Sequence, residues 1–266
     1  MSERVGVEVA DEIAYVTLTR ADKYNGLDFP MLRALISAAR QVASDRAIRV
    51  VILQGAGRGF CAGLDFASVG KDPKAMIRGF AKLPVQTTNL FQRACWVWRE
   101  LPVPVIAVVH GKCYGGGFQL ALAADFRMST PDCEYSMMEA TWGLIPDMSG
   151  SVTLRELVGM DVAKRLAMTG ELFDGVRARE YGLVTEVSAD PLADAHTLAA
   201  ALIARSPDAV AATKALLQQS WHRSPRAALW LESRLQLRLL FGANHKIARA
   251  ANAAKQVPAY VRRGSR

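Results

Sequence analysis

PVIAVVHGKCYGGGFQLALAAD, residues 104–125, decides the fold. Its β-branched run, Val105 to Val109, has the pattern of a buried strand. A turn follows, then Gly115-Gly116-Gly117, then an Ala- and Leu-rich helix expected to open at Phe118. Three glycines between strand and helix let the backbone approach a ligand with no Cβ in the way. The first N–H groups of the helix lack intrahelical partners and add a positive dipole end. Together they suit an anion, or an oxygen that becomes anionic during a reaction. The stretch is not a phosphate loop. No Lys-Ser/Thr follows the glycines, and GxGxxG spacing is absent. Taken alone, the glycine run also fits a tight turn packed in a core.

A second small-residue motif lies upstream, FCAGLD at 60–65, after a short strand at Val50–Leu53. Two such turns can aim two backbone N–H groups at one oxygen, the arrangement acyl chemistry needs. Around these motifs the chain alternates strands and helices. Val5–Val9 and Ile13–Leu18 read as a hairpin about Asp11-Glu12, and Pro30 opens a helix running to Ser44. Gly70 to Leu83 reads as a mobile loop, Val85 to Glu100 as a helix, and Phe126–Ser129 as a strand. Strand signals stop near residue 190. Leu192–Ala204, Ala209–Ser220, Arg226–Phe241 and Ile247–Ala254 then follow a helical pattern. The expectation is an α/β core over 1–190 carrying the site, and a helical segment over 191–266.

Composition narrows the class. Hydrophobic residues make up 51% and charged residues 22%, as in a globular protein with a sizeable core. No apolar run reaches the ~18 residues of a membrane span, and the N-terminus has no signal-like apolar stretch. The expected location is the cytoplasm. Cys61, Cys95, Cys113 and Cys133 show no metal spacing and read as reduced, buried thiols. His110, His196, His222 and His245 are scattered, so no metal is expected. The formal charge of +8 suits a polyanionic partner, either nucleic acid or a phosphorylated substrate carrier. The basic residues form no uninterrupted block, and a nucleic-acid partner is not expected.

FCAGLD and HGKCYGGGFQLALAADF (110–126) closely resemble the crotonase superfamily, which includes enoyl-CoA hydratases and isomerases. Asn25-Gly26-Leu27, MMEATWGLIPDMSGS (137–151), LVGMDVAKRLAMTGELFDGVRAREYGLVTEV (157–187) and the helical tail agree in order and spacing. The resemblance covers essentially the whole chain. It implies a spiral of ββα units, a C-terminal helical segment used in assembly, and homotrimers that often pair into hexamers. It implies a coenzyme A thioester as substrate and no permanently bound cofactor. By motif position, the N–H groups of Leu64 and Gly116 would hold the thioester oxygen. Ala62, Asp65, Trp142 and Lys23 would contribute to substrate binding. Arg20, Lys71 and Lys74 are further candidate phosphate partners, and equally ordinary surface charges. The Lys that many family members carry three residues after the first oxyanion position is Ala67 here.

The acid–base residues choose the chemistry. Hydratases resemble one another in two Glu residues twenty positions apart; here these positions hold Gln119 and Glu139. A neutral amide holds a water or a substrate but exchanges no proton near neutrality. Glu139 therefore reads as the remaining base, or else as a cap or salt-bridge carboxylate. Asp147 follows eight residues later. Dienoyl-CoA isomerases look similar in carrying an acid at both of these positions. Its other reading is an N-cap for a helix beginning near Ser149. Glu139, Asp147 and the two amides supply an acceptor, a donor and enolate stabilisation. The expectation is double-bond isomerisation of an enoyl- or dienoyl-CoA. The alternatives are a hydratase in which Glu139 activates water oriented by Gln119, and a non-catalytic or RNA-binding homologue.

Overall fold

The computed structural model describes residues 4–264. β1 (Val5–Ala10) and β2 (Ile13–Leu18) pair antiparallel, with Val5 opposite Leu18 and Ala10 opposite Ile13. Asp11 and Glu12 join them at φ 50° and 65°, which matches the twist of a two-residue hairpin. α1 (Phe29–Ser44) begins where expected: Asp28 accepts the Met31 N–H, and Pro30 occupies the first turn.

β3 (Val50–Gly55) pairs parallel with β2. Three helices then precede the next strand: α2 (Phe66–Val69), α3 (Pro73–Phe80) and α4 (Leu90–Arg99). Here two expectations are corrected. The segment read as a mobile loop contains α3, because Asp72 caps the Ala75 N–H and Pro73 presets the first turn. Phe80 at its end stacks on Phe91 of α4, with ring centroids 4.6 Å apart. The helix expected from Val85 starts at Leu90, because Asn89 and Gln92 form a reciprocal capping box.

β4 (Val105–Val109) leads into β5 (Lys112–Tyr114) and α5 (Gly116–Leu122). The helix thus opens two residues before Phe118, with Gly115 at its cap and Gly116 and Gly117 in its first turn. β6 (Phe126–Ser129) and β7 (Glu134–Ser136) follow, then a 3-10 turn over Met138–Trp142. The core continues through α6 (Gly150–Leu157), α7 (Met160–Thr169), α8 (Gly175–Glu180) and β8 (Glu186–Val187). The large sheet has the order β1-β2-β3-β4-β6-β8, parallel apart from the hairpin. A smaller parallel layer lies beside it: β5 pairs with β7, Cys61 bridges Cys113, and Leu27 bridges Leu64. Each turn of the chain lays a strand in the large sheet, an extended piece in the small layer, then a helix. This is the expected spiral of ββα units.

β3 and β4 are buried on both faces, as parallel strands are. Val51, Leu53, Val105, Ala107 and Val109 face the main core with Phe91, Trp98, Phe118 and Tyr135. Val50, Ile52, Ile106 and Val108 face Ala195 and Ala199 of α9 (Pro191–Ile203). Residue 190 marks the end of strand structure, but α9 itself closes the sheet. α10 (Pro207–Ser220) is tied to the core by Lys214, whose Nζ donates to Asp125 Oδ2 at 2.6 Å and Val103 O at 2.9 Å. α11 (Pro225–Leu240) and α12 (Ala243–Ala254) complete the tail and leave Leu229, Trp230, Leu237 and Phe241 exposed. All four cysteines are free and buried. Among the described residues, no helix is long and apolar enough to cross a membrane.

Candidate active site

The two glycine motifs are laced together by the small layer. Phe60 N–H donates to His110 O at 2.9 Å, Cys61 N–H to Lys112 O at 3.0 Å, and Tyr114 N–H to Cys61 O at 3.0 Å. The fit leaves no room for side chains. A methyl group on Gly117 would lie 2.3 Å from Cys61 O. One on Gly63, at φ +87°, would lie 2.8 Å from Tyr114 O and 3.4 Å from Gly116 N. The FCAGLD turn therefore sits against the start of α5. Among the described residues, neither the Leu64 N–H nor the Gly116 N–H finds a protein acceptor. Gly116 opens the helix, where an unpaired N–H and the dipole act together.

The first loop supports this frame. Asn25 is fully buried at φ +56°, a conformation asparagine tolerates better than most residues. Its Nδ2 donates to Ala56 O and Gly59 O, both at 2.9 Å, and its Oδ1 accepts the Arg20 N–H at 3.0 Å.

Beyond the glycines, one amide organises the carboxylates. Gln119 is fully buried on α5. Its Oε1 accepts the Met148 N–H and the Gly150 N–H, each at 2.8 Å. Two backbone donors demand an oxygen, so the nitrogen faces the other way. Nε2 donates to Glu139 Oε1 at 2.6 Å. Glu139 stands on the 3-10 turn and is 8% exposed; its Oε2 is buried with no partner in the protein. Asp147 lies immediately before the clamped segment and is half-buried.

Burial pushes the Glu139 carboxyl above the usual carboxylate range; the Gln119 hydrogen bond pulls it back, and the Asp147 charge pushes it up. Burial likewise raises Asp147. The buried Cys95 thiol of α4, itself raised chiefly by burial, feels both carboxylates. The N-cap reading of Asp147 fails. α6 starts at Gly150, and the residue at its cap is Ser149, with no side-chain capping bond. Ser149 is left-handed at φ +79°, and its buried hydroxyl has no partner.

Other expected site residues are placed differently. Asp65 caps α2 through Ser68 N–H at 3.0 Å and is paired with Arg20 Nη2 at 2.8 Å. Burial pushes its carboxyl up, but the Ser68 and Arg20 hydrogen bonds outweigh it and hold the carboxylate below its usual value. Both Asp65 oxygens are thus engaged by the protein, and Asp65 supports the turn. Arg20 is buried and also donates to Gly26 O at 3.0 Å, so it is not a free phosphate partner. Ala62 is half-buried, with its N–H given to Tyr24 O at 2.9 Å. Lys23 is exposed on a 3-10 turn, as are Lys71 and Lys74 around the start of α3. Trp142 is 61% exposed and packs against Phe66 of α2 with ring centroids 4.9 Å apart. Sequence reasoning missed the Met148 and Gly150 N–H pair. The Ser149-Gly150 dipeptide after Asp147 was its only signal. Among the described residues, no cluster of three His, Cys, Asp or Glu side chains is placed to hold a metal.

Residues 8–260 match the enoyl-CoA hydratase/isomerase family. The chain belongs to that family, within the crotonase superfamily. A crotonase relative from Bacillus subtilis, described as an enoyl-CoA hydratase/isomerase, is 33% identical over 84% of this chain and 85% of its own length. A mitochondrial Δ(3,5)-Δ(2,4)-dienoyl-CoA isomerase of Dictyostelium discoideum is 30% identical over 78% of this chain and 73% of its own. The crystal structure of the enoyl-CoA hydratase from Bacillus anthracis superposes with a TM-score of 0.88 at 26% identity, covering 97% of this chain and 98% of that one. This crotonase is thus an enzyme of the hydratase/isomerase type, with an acyl-CoA substrate consistent with its family.

Proposed function

We propose that this crotonase moves a double bond along an enoyl- or dienoyl-CoA. Glu139 takes a proton from a carbon next to the unsaturation. The electron pair delocalises onto the thioester oxygen, held by the Leu64 and Gly116 N–H groups. Asp147, in its protonated form, delivers a proton to the far carbon as the enolate collapses. Glu139 is left protonated and Asp147 ionised, and exchange with water resets both. The substrate gains and loses one proton, so its composition is unchanged.

The observation that carries this reading is the state of Gln119. Its oxygen is filled by two backbone N–H groups, and its nitrogen is given to Glu139. The hydratase pair of carboxylates is therefore broken, while Glu139 and Asp147 remain as two carboxyls raised by burial, with the Asp147 charge felt at Glu139. Burial raises both carboxyls, which suits groups that exchange protons with a substrate. Lys23 and other exposed basic residues would meet the phosphates of coenzyme A. The exposed apolar residues of α11 fit assembly into a homotrimer or a hexamer.

Hydratase names are the more numerous among the relatives, and they favour a second reading. In it Glu139 alone activates a water for addition to a 2-enoyl-CoA. A substrate panel separates the two. The isomerase reading expects turnover of 3-enoyl- or dienoyl-CoA well above that of crotonyl-CoA. Rapid hydration of crotonyl-CoA with no isomerisation on the panel rejects it.

A further inference from the structure

We infer that Gln119 is the positioning residue of this site: one amide orients the Glu139 carboxylate and pins the loop that carries Asp147. The inference rests on Glu139 being the base, as proposed above. An amide nitrogen only donates, so Glu139 Oε1 must accept, at 2.6 Å. A proton arriving on Glu139 is thereby directed to Oε2, the oxygen that is buried and unpartnered. The bond also favours the ionised form of Glu139 against its burial.

The other end of the same amide acts on the loop. Met148 and Gly150 aim their N–H groups at a single oxygen, an arrangement that commonly holds anions. Between them Ser149 sits at φ +79°, a conformation that non-glycine residues keep only where their surroundings over-determine it. Asp147 is the residue preceding this clamp. The separation of acid and base is therefore set by the length of one side chain on a buried helix, not by the exposed loop itself.

A carboxylate at position 119 would satisfy both backbone donors but lose the N–H given to Glu139. Two carboxyls at hydrogen-bond distance share a proton. The paired N–H groups stabilise the charge on residue 119, so the shared proton stays on Glu139 and disables the base. The titratable groups facing Glu139 are otherwise Asp147 and the Cys95 thiol.

The test compares the parent with Gln119→Leu and Gln119→Glu. The infrared band of the protonated Glu139 carboxyl is titrated with pH and assigned by its loss in Glu139→Gln. Folding of each variant is checked by thermal melting; Gln119→Glu keeps the acceptor and the shape should the leucine variant fail to fold. The expected result is a titration of Glu139 displaced to higher pH in both variants. Proton abstraction, read as deuterium exchange into the acyl chain, falls about 10²-fold, as for a misplaced catalytic group. KM stays within about threefold, since binding is not what is lost. A Glu139 titration unmoved in either folded variant overturns the inference. A displaced titration in an enzyme that hydrates but does not isomerise upholds it and rejects the isomerase reading instead.

Discussion

Gln119 Nε2 donates to Glu139 Oε1 at 2.6 Å, while the oxygen of the same amide accepts two backbone N–H groups. This places a neutral, buried amide beside the Glu139 carboxylate. A carboxylate beside a neutral hydrogen-bond donor is the arrangement on which the proposed proton transfer rests.

Glu139→Gln keeps an oxygen for the Gln119 N–H but removes the carboxylate proposed as the base. General acid–base catalysis is worth roughly 10²–10⁴-fold, so kcat is expected to fall by that order with KM little changed. Steady-state kinetics on the best panel substrate checks this.

The same substitution has a stability signature. Burial raises the Glu139 carboxyl, so the folded state binds its proton more tightly than the unfolded chain does. The parent then loses stability as pH rises from the unfolded carboxyl pKa through the folded one. Glu139→Gln lacks that loss. Its Tm relative to the parent is expected to climb from acid to neutral pH, and melts across that range measure it. A difference constant with pH would contradict the burial argument.

Two adjacent glycines should fail in different ways. A methyl on Gly117 meets the Cys61 backbone oxygen at 2.3 Å, which cannot move without the small layer, so Gly117→Ala should cost about 3 kcal/mol. A methyl on Gly116 meets the Met148 sulfur at 2.5 Å. That side chain can yield by shifting, but the amide is displaced. Gly116→Ala should remain folded and lose about 10²-fold in kcat, as when one oxyanion donor is lost. Urea denaturation and kinetics on the pair separate the two effects.

Arg20 holds Asp65 at 2.8 Å and lies 3.5 Å from Asp28, and all three side chains are largely buried. Arg20→Met leaves Asp65 without its cation and Asp28 with Arg4 alone, and should destabilise by about 3 kcal/mol. The midpoint of urea unfolding reads this. A loss of coenzyme A affinity without loss of stability would instead restore Arg20 as a phosphate partner.

Where local chemistry governs, the sequence was readable. The β-branched run before Gly115, FCAGLD after β3 and the proline-led tail helices carry their structure in their own residues. The small layer was not legible, because β5 and β7 are three residues each and owe their pairing to the spiral. α3 was hidden because Gly70, Asp72 and Pro73 read as a loop, although the last two are its cap and first turn. Within the site, Gln119 and Glu139 stood out by spacing, and their contact needed the fold. The pairing of Asp65 with Arg20 was not legible, because the two lie 45 positions apart and nothing local announces it. Trp142 falls between the two carboxylates in sequence, yet on the 3-10 turn it is largely exposed and packs against Phe66.

The central claim is tested most directly by the mass of the product formed from a 3-enoyl- or dienoyl-CoA in heavy water. A double-bond shift through Glu139 and Asp147 predicts a product of unchanged composition, altered only by deuterium taken from solvent. A product heavier by one molecule of water would contradict it.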